Sequence, residues 1–295
     1  MVTMSDVHGS KLNRLQREVP EGFLVDAAWL ERNGYASNLR HRYVSSGWLE
    51  SLAHGIYRRP PPRLRATTPQ EIPWAVALVS LQTLMAWPGV VGGRTALTAQ
   101  GFGHYLQPHG ADEVHLYGNQ PPPGWLRKLP TGTQYIFHRA GRLFDPNLIA
   151  EEPHAVRVDV ASGVTTPLPR GLRSHSPDVA WSATGWPIIC SAPERAILEL
   201  LDELPERETF QQVDVIFQSL VNLHPRQCQR LLEACHNVKV KRLFLWFVQR
   251  HHSRLLSQLD RARIDLGKGK RLIARNGRWN REFQITVPGD LDGTG

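Results

Sequence analysis

Four short polar side chains, Ser37, Asn38, His41 and Ser45, recur at helical spacing, with Arg40 and Arg42 to either side of them. At 100° per residue, Leu39 and Tyr43 fall on one face with Ala36 beside them, and the polar residues fall opposite. Small hydroxyls, an amide and an imidazole on one face can reach the edges of bases. Arginines on the flanks can hold backbone phosphates. Downstream, His54, Arg58 and Arg59 follow in a segment that reads as two strands around Gly55. A second set of cations, Lys239, Lys241, Arg242, Arg250, Arg254, Lys268, Lys270 and Arg271, marks another basic surface.

The elements that would position the first set are legible. Lys11 to Val19 reads as a helix with Leu12, Leu15 and Val19 on one face. A second helix is expected from Val25, with Asp26 capping its first turn and Gly34 closing it. The third runs from Ser37 to Ser46 and stops at Gly47. Two short helices joined by a tight turn form a helix-turn-helix. Trp48 to Leu52 and Ile56 to Arg59, paired around Gly55, add a wing.

The segment Arg58-Arg59-Pro60-Pro61-Pro62-Arg63 interrupts this pattern with three prolines that favour an extended linker. The expected division is therefore 1–60 for the winged helix-turn-helix, 61–68 for the linker and 69–295 for a larger mixed domain. In that domain the pattern predicts helices at Pro69–Met85, Thr95–Gly101, Glu194–Leu204, Phe210–Val221, Pro225–Cys235 and Val240–Gln258. Strands are expected at Val90–Val91, Val114–Tyr117, Gln134–His138 and Ala155–Val160. A final strand pair, Arg271 to Val287, is expected around Asn276-Gly277. The fold class is α+β.

Composition narrows the function. The chain has 295 residues and a net charge of +8, with 35 basic residues of which six are lysine. Arginine in such excess suits phosphate and guanine edges. Between Lys239 and Glu282, thirteen basic residues stand against three acidic ones. The most apolar stretch, Trp74 to Trp87, contains Ser80, Gln82 and Thr83, so no membrane span is expected. The first twenty residues lack an apolar signal core. Three cysteines without a CxxC pair, Cys190, Cys228 and Cys235, suit buried thiols in a reducing cytoplasm.

Enzyme motifs are missing. Ser191-Ala192-Pro193-Glu194 lacks the flanking glycines of a nucleophile elbow and reads as a helix cap. Arg195 and Glu199 read as an i, i+4 surface pair or as a contact with a neighbouring domain. Cys228, Cys235, His236, His251 and His252 lack the close spacing of a zinc finger, so neither metal nor cofactor is expected. No lysine follows an acidic residue by two positions, which removes the usual metal-nuclease core. Gly267-Lys268-Gly269-Lys270 is not a phosphate loop. A winged helix fused to a nuclease, and a protein-interaction module without specific DNA binding, are the alternatives.

Three patches resemble the AbiEi family of bacterial antitoxins. They are Gly47-Trp48-Leu49 through Gly55-Ile56-Tyr57-Arg58-Arg59-Pro60, then Gly92-Gly93-Arg94-Thr95-Ala96-Leu97, then Ser191-Ala192-Pro193-Glu194-Arg195-Ala196. The resemblance implies an N-terminal domain that represses its own toxin–antitoxin promoter at an inverted repeat in double-stranded DNA, which would bring two copies together. It also implies a C-terminal domain that counters a nucleotidyltransferase-like toxin, directly or indirectly. The Arg271–Val287 hairpin departs from the family's pattern.

Overall fold

The computed structural model describes residues 4–61, 72–102, 113–147, 155–159, 164–167 and 187–291. The expected linker lies outside them from Pro62 onward, as does the start of the helix expected at Pro69. No helix among the described residues is long and apolar enough to cross a membrane.

The N-terminal part holds α1 (Met4–Glu18), α2 (Ala27–Arg32) and α3 (Ser37–Ser45). Its three strands are β1 (Leu24–Asp26), β2 (Glu50–Ala53) and β3 (Ile56–Arg58). They form an antiparallel sheet in the order β1-β3-β2, with the wing turn at Gly55 in the left-handed region. The second helix therefore starts later than expected. Leu24 and Val25 are fully buried and pair with Arg58 and Tyr57, so this apolar step becomes a strand. Asp26 ends it and caps α2, accepting from the Trp29 N–H at 2.7 Å. Gly34 and Gly47, both at positive φ, close α2 and α3.

The rest is built on a six-stranded sheet in the order β6-β5-β4-β9-β7-β8. Its strands are β4 (Val90–Val91), β5 (Glu113–Gly118), β6 (Gln134–Arg139), β7 (Ala155–Asp159), β8 (Thr165–Pro167) and β9 (Pro187–Ser191). The β5–β6 and β4–β9 pairs are parallel and the others antiparallel. Around the sheet lie α4 (Trp74–Thr83), α5 (Gly93–Ala99), α6 (Ala140–Leu143) and α7 (Pro193–Asp202). The buried Gln82 amide stitches α4 to β9: its Nε2 donates to the carbonyls of Gly89 and Ile189, and its Oε1 accepts from the Ile189 N–H. Such a fully satisfied amide avoids the cost of burying a lone polar group.

A helical layer follows, of α8 (Phe210–Ser219), α9 (Pro225–Ala234), α10 (Val238–His251) and α11 (Ser253–Ser257). The single helix expected over Val240–Gln258 breaks at His252, whose backbone leaves the helical region. The chain ends on the hairpin β10 (Arg278–Asn280) and β11 (Ile285–Val287). Its turn lies at 281–284, where Gln284 has positive φ, and not at Asn276-Gly277 as expected.

One cluster of buried apolar side chains runs from Leu15 and Tyr35, through Leu78 and Leu116, to Phe247 and Val287. The two sides of the prolines thus share a core. α4 packs on β1, and the Leu24 N–H donates to Ser80 Oγ at 3.0 Å in a buried bond. All three cysteines are buried and unpaired, as expected of core thiols.

Candidate nucleic-acid interface

The face of α3 presents the expected row. Ser37, Asn38, His41, Arg42 and Ser45 are all exposed, while Leu39 and Tyr43 are buried beneath them. Under α3 an aromatic base holds it flat: Trp29 stacks on Tyr35, and Tyr35 tilts against Tyr43. Ala36 stays exposed because it is the N-cap residue, just outside the helix. Among the described residues no hydrogen bond or ion pair engages the Arg42 side chain, which leaves five donors for an outside anion. His54 stands exposed at the wing tip. Trp48, 43% exposed, sits where α3 hands over to the wing. A tryptophan directly after the helix-ending Gly47 was the available signal for it.

The remaining arginines of the expected set are engaged inside the protein. Arg40 donates to the Ala27 carbonyl at 3.0 Å, tying α3 to the start of α2. Arg58 grips Glu50 across the wing with Nε at 2.8 Å and Nη2 at 2.6 Å. Arg59 donates to the carbonyls of Gln16 and Val19 and pairs with Glu21, fastening the end of the wing to α1. Sequence spacing places a guanidinium but not its partner, and these partners sit on other elements, 8 residues away for Arg58, 13 for Arg40, and 40 and 43 for the carbonyls that hold Arg59.

The second cationic set divides in the same way. Arg242 is 2% exposed and donates to the carbonyls of Leu266, Gly267, Gly269 and Gln284. Lys241 is also buried. Lys239 caps the carbonyls of Asp202 and Leu204, and Arg250 pairs with Asp214 at 2.8 Å. Arg254, Lys268, Lys270 and Arg271 remain exposed, with Lys270 over the Trp279 ring. Phe244 to Val248 are core residues, as expected.

Two patches read from the sequence meet at one buried carboxylate. Glu199, fully buried on α7, accepts from the Gly93 N–H at 2.9 Å, Ser191 Oγ at 3.0 Å and Arg195 Nε at 2.7 Å. Of the two expected placements, the surface one does not hold: the Arg195–Glu199 pair is buried, and Glu199 reaches α5 through Gly93. Ser191 does not cap α7 either; Ala192 is the cap residue, and the Ser191 hydroxyl turns to Glu199. Burial raises the Glu199 carboxyl above its ordinary value, against the pull of Arg195, Gly93 and Ser191. A Cβ at Gly92 would lie 2.3 Å from Glu199 Oε2, so only glycine leaves room for this close approach. Arg94, next along, pairs with buried Glu208 through Nε at 2.7 Å.

A further group had no sequence signal. His115, His138 and Glu203 gather their ring nitrogens and carboxylate at the β6 edge of the sheet. Burial, then the neighbouring His138, Arg94 and Arg207, push the His115 pKa down to about 3. Burial, with help from Asp202, pushes Glu203 up to about 7.

Known proteins resemble this chain in the following ways. Residues 8–108 match the family described as "Transcriptional regulator, AbiEi antitoxin N-terminal domain". Residues 170–288 match the family described as "Transcriptional regulator, AbiEi antitoxin, Type IV TA system". None of the curated proteins matches. Among solved structures, the crystal structure of the RV2827C protein from Mycobacterium tuberculosis is 16% identical, covers 95% of this chain and 90% of its own, and superposes with a TM-score of 0.49.

Proposed function

Because the chain belongs to the AbiEi family of antitoxin transcriptional regulators of type IV toxin–antitoxin systems, we propose that it represses its own operon through α3 and the wing. In this reading Ser37, Asn38, His41 and Ser45 face base edges in the major groove, and Arg42 and His54 meet the phosphate backbone. Arg40, Arg58 and Arg59 act one step back: they hold α3 and the wing at a fixed angle. An inverted repeat in the promoter brings two copies onto the DNA. The larger domain counters a nucleotidyltransferase-like toxin in the bacterial cytoplasm, by contact or indirectly, with the exposed Arg254, Lys268, Lys270 and Arg271 as a surface for it or for DNA backbone. The chain acts as a regulator and not as an enzyme. The observation that carries the reading is the exposed polar row on α3 with the unengaged Arg42 beside it.

The test is a mobility-shift titration on DNA immediately upstream of the gene, at several salt concentrations and against scrambled competitor. A specific shift that weakens steeply with salt is expected, since phosphate contacts release counterions. Arg42→Glu should weaken it by about tenfold or more and lower the salt slope by about one. A wild-type protein with no preference over scrambled DNA would overturn the proposal.

A further inference from the structure

β5 and β6 run parallel at one edge of the six-stranded sheet, and each carries a histidine. The two imidazoles lie nearly parallel, 9° apart, and His115 Nδ1 is 3.0 Å from His138 Nε2. Glu203, the residue that ends α7, brings Oε1 to 3.4 Å from His138 Nδ1. On the opposite side, Glu113 Oε2 lies 3.8 Å from His115 Nε2. The His115 side chain is 5% exposed, Glu203 10% and His138 19%, so the group is enclosed yet open at one side.

His115 Nδ1 and His138 Nε2 face each other at 3.0 Å. One ring N–H can donate to the other ring; with that proton gone, both lone pairs point at one shared position between the rings. One ligand atom from each of His115, His138 and Glu203 lies within 4.8 Å of the others.

We propose that His115, His138 and Glu203 bind one divalent transition-metal ion, zinc first among them. The ligands are His115 Nδ1, His138 Nε2 and one Glu203 oxygen. Two imidazoles and a carboxylate are a common zinc set, and three protein ligands leave a fourth position for water. Zinc–nitrogen bonds of about 2.0–2.1 Å hold two nitrogens of a tetrahedron about 3.3 Å apart, close to the spacing here. Glu113 Oε2, 3.8 Å from His115 Nε2 and outside hydrogen-bond reach, would have to close on that far nitrogen to serve as the carboxylate that orients a ligating histidine. Two guanidiniums oppose a cation here. Arg94 is already held by Glu208. Arg207 lies 3.5 Å from Glu203 Oε2 but is half exposed and can turn outward. Asp202 and Glu208 add negative charge beside Glu203.

The experiment uses the full chain, stripped with a chelator and titrated with zinc in competition with a chromophoric chelator, then repeated with cobalt(II). One equivalent of zinc is expected, with cobalt bands of a tetrahedral nitrogen–oxygen set and no thiolate charge transfer. Glu203→Gln and His138→Gln should each weaken zinc by tenfold or more, while Cys228→Ala leaves it unchanged. Should His138→Gln fail to fold, the cobalt spectrum of the wild-type chain and Glu203→Gln decide. Absence of competitive zinc binding, thiolate bands, or binding indifferent to Glu203→Gln would each overturn the proposal.

Discussion

Replacing Glu199 by alanine removes the one acceptor that three buried donors share. Arg195, 6% exposed, would keep its charge in the interior with its partner gone. Breaking a buried pair from one side costs about 3–5 kcal/mol. The Gly93 N–H and the Ser191 hydroxyl lose their acceptor as well, adding about 1 kcal/mol each at the low end for an orphaned buried group. The sum, about 5–7 kcal/mol, rivals the whole stability of an ordinary domain, about 5–15 kcal/mol. Glu199→Ala should therefore be largely unfolded or lose most of its urea midpoint. Glu199→Gln keeps an acceptor oxygen and should cost on the order of 2 kcal/mol. Arg195→Leu combined with Glu199→Leu removes both charges and should be more stable than Glu199→Ala. Urea titration followed by tryptophan fluorescence reads all three, and the nine tryptophans give ample signal. A Glu199→Ala protein within about 1 kcal/mol of wild type would show that the carboxylate is not what joins α5 to α7.

Arg40 and Arg42 should behave oppositely. Arg40→Ala loses the bond to the Ala27 carbonyl and should cost about 1 kcal/mol in the same titration, whereas Arg42→Ala should stay within about 0.5 kcal/mol and lose DNA affinity instead. Asp214 offers a pH test. Burial raises its carboxyl, but hydrogen bonds from Arg250 and His251 outweigh this and hold it below its ordinary value. The folded state therefore binds this proton less tightly than the unfolded chain. Its stability contribution is full above the ordinary aspartate range and is lost as pH falls through the lowered value. Asp214→Asn should lower stability at neutral pH and flatten the profile between about pH 5 and 2; an unchanged acid limb would refute this.

Local signals survived best. Asp26 as a cap and Gly34 and Gly47 as stops were legible because each acts within one turn of its own helix. The apolar face of α3 followed from spacing alone. Helices α7 to α9 were found to within two residues for the same reason. What escaped depends on distant partners. β1 looked like helix because its pairing strand lies some thirty residues on. Arg58, Arg59 and Arg242 looked like surface cations because their carbonyl and carboxylate partners come from other elements. The cluster of His115, His138 and Glu203 has no spacing to recognise, since a strand pair and a helix end assemble it.

β1 has two loyalties. One edge of it completes the wing sheet, and the Leu24 N–H binds Ser80 Oγ on α4. The N-terminal part is thus fixed to the larger part by this bond and by a shared apolar core. Whatever groove α3 enters, the body must arrive at a set compass bearing around the duplex. In the proposed reading, two copies on one stretch of DNA would then clear or touch each other according to helical phase. Five extra base pairs would turn the second body by about half a turn, to the far side of the duplex, so such a pair should tolerate whole turns of added spacing far better than half turns.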